Sequence, residues 1–160
     1  MNVLIVHAHP EPQSFCASMM RHMETHFRNE GHSVVVSDLY AKNFNPVASA
    51  VDFPQRNNPD YLVYALEQRH AVKTSTLPDD IQTELNMLKA CDLLVLNFPI
   101  YWFSVPAILK GWIDRVFLSG EVYGGRNFYD RGLMKGKRAL LTFTLGGRDH
   151  MFGDGAVHGD

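Results

Sequence analysis

Four short apolar runs, separated by segments of helical periodicity, constrain the fold of this chain more than any other feature. The runs are NVLIVHA at 2–8, HSVVVSD at 32–38, DLLVLN at 92–97 and KRALLTFT at 137–144. The third run is apolar without alternation, which is typical of a strand covered on both faces. Strands that alternate with helices indicate βαβ crossovers and a parallel sheet. The sequence therefore predicts an α/β fold.

Four segments beside these strands are predicted to be helical. The first covers 14–29, with Ser14 as a natural N-cap and Gly31 as the residue that stops it. Its apolar side chains recur every four residues on one face, at Phe15, Met19, Met23 and Phe27. The other predicted helices cover 60–73, 78–90 and 105–117.

Length and composition favour a single domain over residues 1–160, because 46% hydrophobic and 20% charged residues can build a buried core. A net charge of −2 without a basic stripe makes nucleic acid an unexpected partner. The two cysteines form no CxxC pair, which is typical of a reducing compartment. No apolar run reaches membrane-spanning length and the N-terminus lacks the basic start of a signal peptide. We therefore expect a cytoplasmic protein without membrane insertion.

Polar and aromatic residues gather where the predicted strands end. The segments after the first, third and fourth strands are HPEPQSF, FPIYWFSVP and TLGG. Ligands of open doubly wound sheets bind beyond the carboxyl ends of the strands, so these segments are expected to form one site. A helix-capping turn, an aromatic cluster and a glycine pair suit a ligand with a phosphate and a large flat ring.

Each of these segments also has a simpler interpretation. The first turn of the helix at Ser14 can bind an anion, with His9 as a further donor, or Ser14 can merely cap the helix. The consecutive aromatics at 101–103 cannot all face the core, so at least one is left for a ligand or for a neighbouring subunit. The glycine pair at 146–147 allows a ring to approach the backbone, or forms a plain turn.

A zinc hydrolase is the main rival from another class. His7 and His9, followed by a proline and an acid, resemble the AHPDD segment of zinc-dependent N-acetyl-sugar deacetylases. A catalytic zinc needs three protein ligands. Pro12 stands where the second acid of that motif belongs, and no later H-x-x-H supplies a third ligand. We therefore expect no metal.

Five segments carry a specific resemblance, in order along the chain. They are VLIVHAHPEPQSF, SDLYAKNFNP, LVLNFPIYWFSVPAILKGWIDRVF, YDRGLMKGKRALLTFTLGG and the terminal VHGD. They resemble the NAD(P)H:quinone oxidoreductase (DT-diaphorase-like) family of flavodoxin-fold flavoproteins. The resemblance implies a flavodoxin-like doubly wound parallel sheet and a homodimer with active sites at the subunit interface. It also implies bound FAD, with FMN as an alternative, and two-electron reduction of quinones by NADH or NADPH in a ping-pong cycle.

The same resemblance assigns roles to residues of this chain. On the phosphate side of the cofactor it places His9, Ser14, Phe15 and Cys16. Around the isoalloxazine it places Pro99, Ile100, Tyr101, Trp102, Phe103, Thr144, Leu145, Gly146 and Gly147. Two residues are implied for catalysis. Tyr123 matches a substrate-pocket tyrosine, and His158 matches the histidine beside the flavin that helps to manage charge during hydride transfer.

Some features depart from the family pattern. Phe152 stands where mammalian members pair that histidine with a tyrosine, Gly125 replaces a second pocket tyrosine, and Val63 aligns with a partner-subunit glutamine. These changes bear on the proton relay and the substrate range rather than on the flavin. Only four strands are predicted where the family has a fifth, so the sheet is expected to be truncated after the fourth strand. A flavodoxin-like ancillary subunit that regulates a membrane transporter is an alternative function on the same fold.

Overall fold

Four parallel strands form one sheet in the order β2-β1-β3-β4. The computed structural model describes residues 1–126 and 128–159. The strands are β1 (Asn2–His7), β2 (Ser33–Asp38), β3 (Leu93–Pro99) and β4 (Arg138–Thr144). The predicted α/β fold with a parallel sheet is thus confirmed. The strand order reverses between β1 and β3, where the sequence predicts the ligand site.

Four helices connect or flank the strands. They are α1 (Phe15–Asn29), α2 (Tyr64–Thr74), α3 (Asp79–Ala90) and α4 (Ala107–Val116). Short 3₁₀ turns occur at Ala50–Asp52, Tyr129–Arg131 and Asp149–Met151. All four predicted helices are present, with shifted ends. Helix α2 begins later than predicted because Asn58 Oδ1 accepts hydrogen bonds from the backbone N–H groups of Asp60 (3.0 Å) and Tyr61 (3.2 Å), which forms a turn instead.

Helix α1 covers one face of the sheet. Ser14 caps it as predicted, since the Ser14 Oγ accepts a hydrogen bond from the Ala17 N–H at 3.0 Å. The chain leaves the helix through Gly31, whose φ of +78° favours glycine. The apolar stripe is shorter than predicted, because Phe15 is 74% exposed. The side chains that pack on this face are Met20, Met23 and Phe27, against Val3, Ile5, Val34, Leu93 and Val95.

The opposite face of the sheet carries the larger core, formed with α3 and α4. Ile81, Leu85 and Leu88 are buried there, since their spacing of four and three residues puts them on one face of α3. A buried carboxylate joins the layers: Glu84 accepts hydrogen bonds from the Ser37 hydroxyl and from Trp112 Nε1 (2.8 Å), and it pairs with Lys42. This core fixes the sheet whose carboxyl edge holds the candidate site.

The irregular segment between β2 and α2 is anchored to α4. Arg115 forms a buried ion pair with Asp52 (Nη2 to Oδ1, 2.8 Å) and donates to the Asn45 carbonyl at 2.7 Å. A Cβ atom on Gly111 would lie 2.1 Å from the Pro46 carbonyl oxygen, so α4 needs glycine where this segment crosses it. Within the described residues, no helix is both long and apolar enough to cross a membrane.

Candidate flavin-binding site

The turn after β1 is ordered by its own side chains. His9 Nδ1 accepts a hydrogen bond from the Glu11 N–H at 3.0 Å, and Glu11 Oε1 accepts one from the Gln13 N–H at 2.7 Å. The Glu11 carboxylate is therefore held by its own turn and stays exposed. In the neutral His9 ring the proton must then sit on Nε2, which makes Nε2 a donor for a ligand.

The first turn of α1 offers backbone donors beside His9. The N–H groups of Phe15 and Cys16 have no acceptor within the helix, as is general at helix N-termini. Cys16 is predicted to contact the cofactor. Its side chain is only 1% exposed, however, and its thiol donates to Asn97 Oδ1 at 3.4 Å. Burial also raises the pKa of the Cys16 thiol. Only the backbone of Cys16 is thus placed to meet a ligand, whereas the Phe15 ring is exposed.

The aromatic segment after β3 forms a tight turn. Tyr101 and Ser104 exchange backbone hydrogen bonds of 3.0 and 3.1 Å, and the two residues between them have positive φ angles, 50° at Trp102 and 58° at Phe103. Such angles strain bulky residues, and strained backbone concentrates at functional sites. None of the three aromatics faces the core: Tyr101 is 46%, Trp102 95% and Phe103 80% exposed.

An apolar cavity of about 800 Å³ opens between the aromatic turn, the end of β4 and the C-terminal segment. Its lining residues are Ile100, Trp102, Phe103, Phe143, Leu145, Gly147, Phe152 and His158. Two of the three predicted segments, those after β3 and β4, therefore meet at the carboxyl edge of the sheet, together with the C-terminal segment. The turn after β1 does not line this cavity. Phe143 and Phe152 were not among the predicted site residues. Phe143 directly precedes Thr144, which was predicted, and Phe152 was noted only as a departure from the family pattern.

The segment after β4 brings its backbone close to this cavity. The Ile100 N–H donates to the Thr144 carbonyl at 2.8 Å, which fixes the end of β4 beside the aromatic turn. The two glycines differ in their surroundings. A Cβ atom on Gly147 would lie 2.6 Å from the Phe152 ring, whereas one on Gly146 would meet nothing within 4 Å. A side chain at Gly147 would force the Phe152 ring to move, whereas Gly146 has open space next to its backbone.

His158 lies on one wall of the cavity between two aromatic rings. Its ring centroid is 5.5 Å from that of Phe103, edge to face, and 5.2 Å from that of Phe152. The His158 N–H donates to the Met151 carbonyl at 3.0 Å, which folds the C-terminal segment back onto the site. The last residue of the VHGD motif, Asp160, lies outside the described residues.

Tyr123 does not line this cavity. It lies in the turn after α4, 43% exposed, with its backbone carbonyl accepting from the Gly120 N–H. Its role at a substrate pocket stays a prediction.

The two histidines that suggested a zinc site have different surroundings. His9 lies in the turn after β1, whereas His7 is buried against Asn97, and burial lowers the pKa of His7. Across residues 1–126 and 128–159 no group of three or more metal-binding side chains occurs.

The sheet order and the position of the site define a flavodoxin-like domain, and comparison with known proteins agrees. The family model of the flavodoxin-like fold matches residues 1–160. Ribosyldihydronicotinamide dehydrogenase [quinone] of Mus musculus is 45% identical over 159 residues, covering 99% of this chain and 69% of the relative. NAD(P)H dehydrogenase [quinone] 1 of Rattus norvegicus is 42% identical over 158 residues, covering 98% and 58%.

A solved structure is similar over the same length. A Klebsiella pneumoniae protein, proposed to be a quinone reductase, superposes with a TM-score of 0.90 at 35% identity. The match covers 99% of this chain and 64% of that one, so the chain spans roughly two thirds of the relatives it resembles. The chain belongs to the flavodoxin-like NAD(P)H:quinone oxidoreductase family, a family of oxidoreductases.

Proposed function

We propose that the chain is a flavin-dependent NAD(P)H:quinone oxidoreductase that uses FAD, with FMN as the alternative cofactor. The observation that carries the proposal is the apolar, aromatic-walled cavity formed by the turn after β3, the end of β4 and the C-terminal segment, at the carboxyl edge of a sheet whose order reverses between β1 and β3. The names of the relatives support the reaction class. The cytoplasm is the proposed location.

The residues at the sheet edge fit the two ends of a flavin nucleotide. A phosphate would meet the backbone N–H groups at the start of α1, together with His9 Nε2 and the Ser14 hydroxyl. The isoalloxazine would lie against the segments 99–103 and 144–147, where Gly146 leaves open space next to its backbone. A cavity of about 800 Å³ is large enough for a ring system and a second flat molecule.

The chain's own residues then orient the reactants and manage charge. A bound flavin supplies the hydride acceptor and donor that couple oxidation of NAD(P)H to reduction of a quinone, one substrate after the other. The exposed rings of Trp102 and Phe103 give a flat substrate an apolar surface and keep water from the site. His158, at the cavity wall, can donate a proton to a quinone oxygen. Backbone N–H groups near Gly146 can stabilise negative charge on the ring.

A homodimer is part of the proposal. Tyr123 lies outside the cavity of its own chain, so a role for it at a substrate pocket requires the cavity of a second subunit. The exposed aromatics of the turn at 101–104 would then be covered on both sides, by substrate and by the partner. Sedimentation of the purified protein with and without flavin tests this arrangement.

The colour and redox response of the purified protein test the function. The protein should be yellow, should lose its colour under nitrogen when NADH or NADPH is added, and should regain it with menadione. Extraction and chromatography of the pigment distinguish FAD from FMN. A yellow protein that none of NADH, NADPH and ribosyldihydronicotinamide bleaches would support the ancillary transporter subunit instead. A colourless protein that takes up no flavin would contradict the proposal.

A further inference from the structure

A set of hydrogen-bonded side chains, three of them buried and one half-buried, lies beneath the carboxyl edge of the sheet. Asn97 Oδ1 is 2.6 Å from His7 Nδ1 and 3.4 Å from the Cys16 thiol, and Asn97 Nδ2 donates to Thr142 Oγ1 at 2.9 Å. An amide oxygen can only accept, so the proton on His7 sits on Nδ1. We call these four side chains the Asn97 network. It joins β1, α1, β3 and β4 through one amide.

The network lies one pleat below the predicted cofactor contacts. Side chains two residues apart on a strand point to the same face, so Asn97 and Thr142 stand directly under the residues at 99 and 144. His7 is the last residue of β1, immediately before the turn that carries His9. The pairing register confirms this level, because Asn97 pairs with His7 on one side and with Thr142 on the other. Cys16 belongs to the first turn of α1 itself. The anion-binding turn and the strands that lead into the two ring-binding segments are therefore tied to the same amide.

Stability alone does not explain an amide at this position. The same sheet face is apolar below it, with Val3, Ile5 and Val95 packed under α1. Asn97 is 0% exposed, and a buried amide with its hydrogen bonds made is about as favourable as an apolar residue of similar size. What hydrogen bonds add is direction, because they fix neighbouring elements in one arrangement.

We propose that Asn97 is a positioning residue of the cofactor site, which sets the spacing between the anion-binding turn at 9–16 and the ring-binding segments at 99–103 and 144–147. The inference rests on the proposed flavin function. A flavin nucleotide carries its phosphate and its ring on one covalent frame. The two contacts reinforce each other only when the loops are held at the matching distance.

Riboflavin and FMN test this role because they differ only by the phosphate. Dissociation constants for both ligands are measured by quenching of flavin fluorescence on flavin-free protein. The wild type is expected to bind FMN more tightly than riboflavin. Asn97→Leu is expected to reduce that preference about tenfold, since the phosphate no longer meets α1 while the ring is seated. Thr142→Val removes one hydrogen bond of the network and is expected to reduce the preference about threefold.

A buried amide elsewhere supplies the matched control. Gln68 is 2% exposed, donates to the Asp114 carbonyl at 3.1 Å and accepts from the Ser119 N–H at 3.2 Å. Gln68→Leu should destabilise the fold and leave the FMN-to-riboflavin preference unchanged.

The outcomes separate this role from the proposed function. An unchanged preference in a folded Asn97→Leu variant, or an equal loss in Gln68→Leu, would overturn the positioning role while the flavin function stands. If Asn97→Leu does not fold, an unchanged preference in Thr142→Val overturns it. A wild type that binds none of riboflavin, FMN and FAD overturns the proposed function, and this inference with it. A wild type that binds FAD but does not prefer FMN to riboflavin overturns the positioning role alone.

Discussion

The rings of Phe152 and His158 lie 5.2 Å apart, centroid to centroid, with their planes tilted by 33°. Where the family resemblance implies a tyrosine beside this histidine, the chain presents a ring without a hydroxyl. The phenyl ring can orient the imidazole by contact but cannot exchange a proton with it. A proton delivered at this wall of the cavity must come from His158 itself or from water.

His158→Gln is expected to slow the reaction of bound flavin at least about tenfold, because the amide keeps the shape of the wall but cannot supply a proton. Flavin should remain bound. Stopped-flow traces of bleaching by NADH and of recovery with menadione measure the two half-reactions separately. His150→Gln is the matched control, since His150 is exposed in the same C-terminal segment and does not line the cavity. Wild-type rates for both half-reactions in His158→Gln would remove this residue from the mechanism.

Gly147→Ala is expected to lower the free energy of unfolding of the flavin-free protein by about 1–3 kcal/mol, because the added methyl group overpacks the site. The reason is its contact with Phe152, whose ring lies 2.6 Å from the position of the new Cβ atom. Gly146→Ala is the matched variant, as its Cβ atom would meet nothing within 4 Å. Urea unfolding of both variants checks the difference. Equal stabilities would show that Phe152 moves aside freely.

The strands and the parallel sheet were predictable from the sequence, because apolar runs separated by helices indicate βαβ crossovers. The strand order was implied by the family resemblance, and the meeting of the segments after β3 and β4 followed from it. The motif run at 98–117 then identified the family. Ser14 was predicted as a cap from residue type alone, since few side chains can accept from the first turn of a helix.

Side-chain directions at the site were not predictable. The inward turn of Cys16 and the exposure of Phe15 depend on the rotational phase with which α1 meets the sheet. The outward direction of Trp102 and Phe103 depends on two positive φ angles that no residue type in this turn demands. The Asn97 network depends on strand register, which places Asn97 opposite His7 and Thr142. Register becomes visible only when the strands are paired.

Arg115→Met is expected to lower the free energy of unfolding by about 3–5 kcal/mol, because it leaves the Asp52 carboxylate buried without its partner. Both members of this pair are 3% exposed, and Arg115 also reaches Asp80 at 2.8 Å. An exposed pair on the same helix is the control: Lys110 and Asp114 lie 2.6 Å apart at the surface. Lys110→Met should change stability by less than about 0.5 kcal/mol. Similar losses in both variants would show that the segment at 39–63 does not depend on its buried ion pair.

The free energy of unfolding should also fall at acidic pH because of His7. Burial lowers the pKa of His7 from its ordinary value of 6.5, and His9 and Arg21 add to this effect, while the hydrogen bond with Asn97 and the charge of Asp38 oppose it. Below pH 6.5 the His7 side chain is therefore protonated in the unfolded chain. In the folded chain it stays neutral until the pH reaches its lower pKa. The contribution of His7 to the free energy of unfolding is complete above pH 6.5 and is lost as the pH falls through the lower pKa of the folded chain. Urea unfolding at about pH 5 and about pH 7.5 should show a smaller difference in His7→Leu than in the wild type. His22→Gln, at an exposed position of α1, is the control and should show the wild-type difference in stability between the two pH values. If His7→Leu also shows the wild-type difference, His7 is not buried in its neutral form.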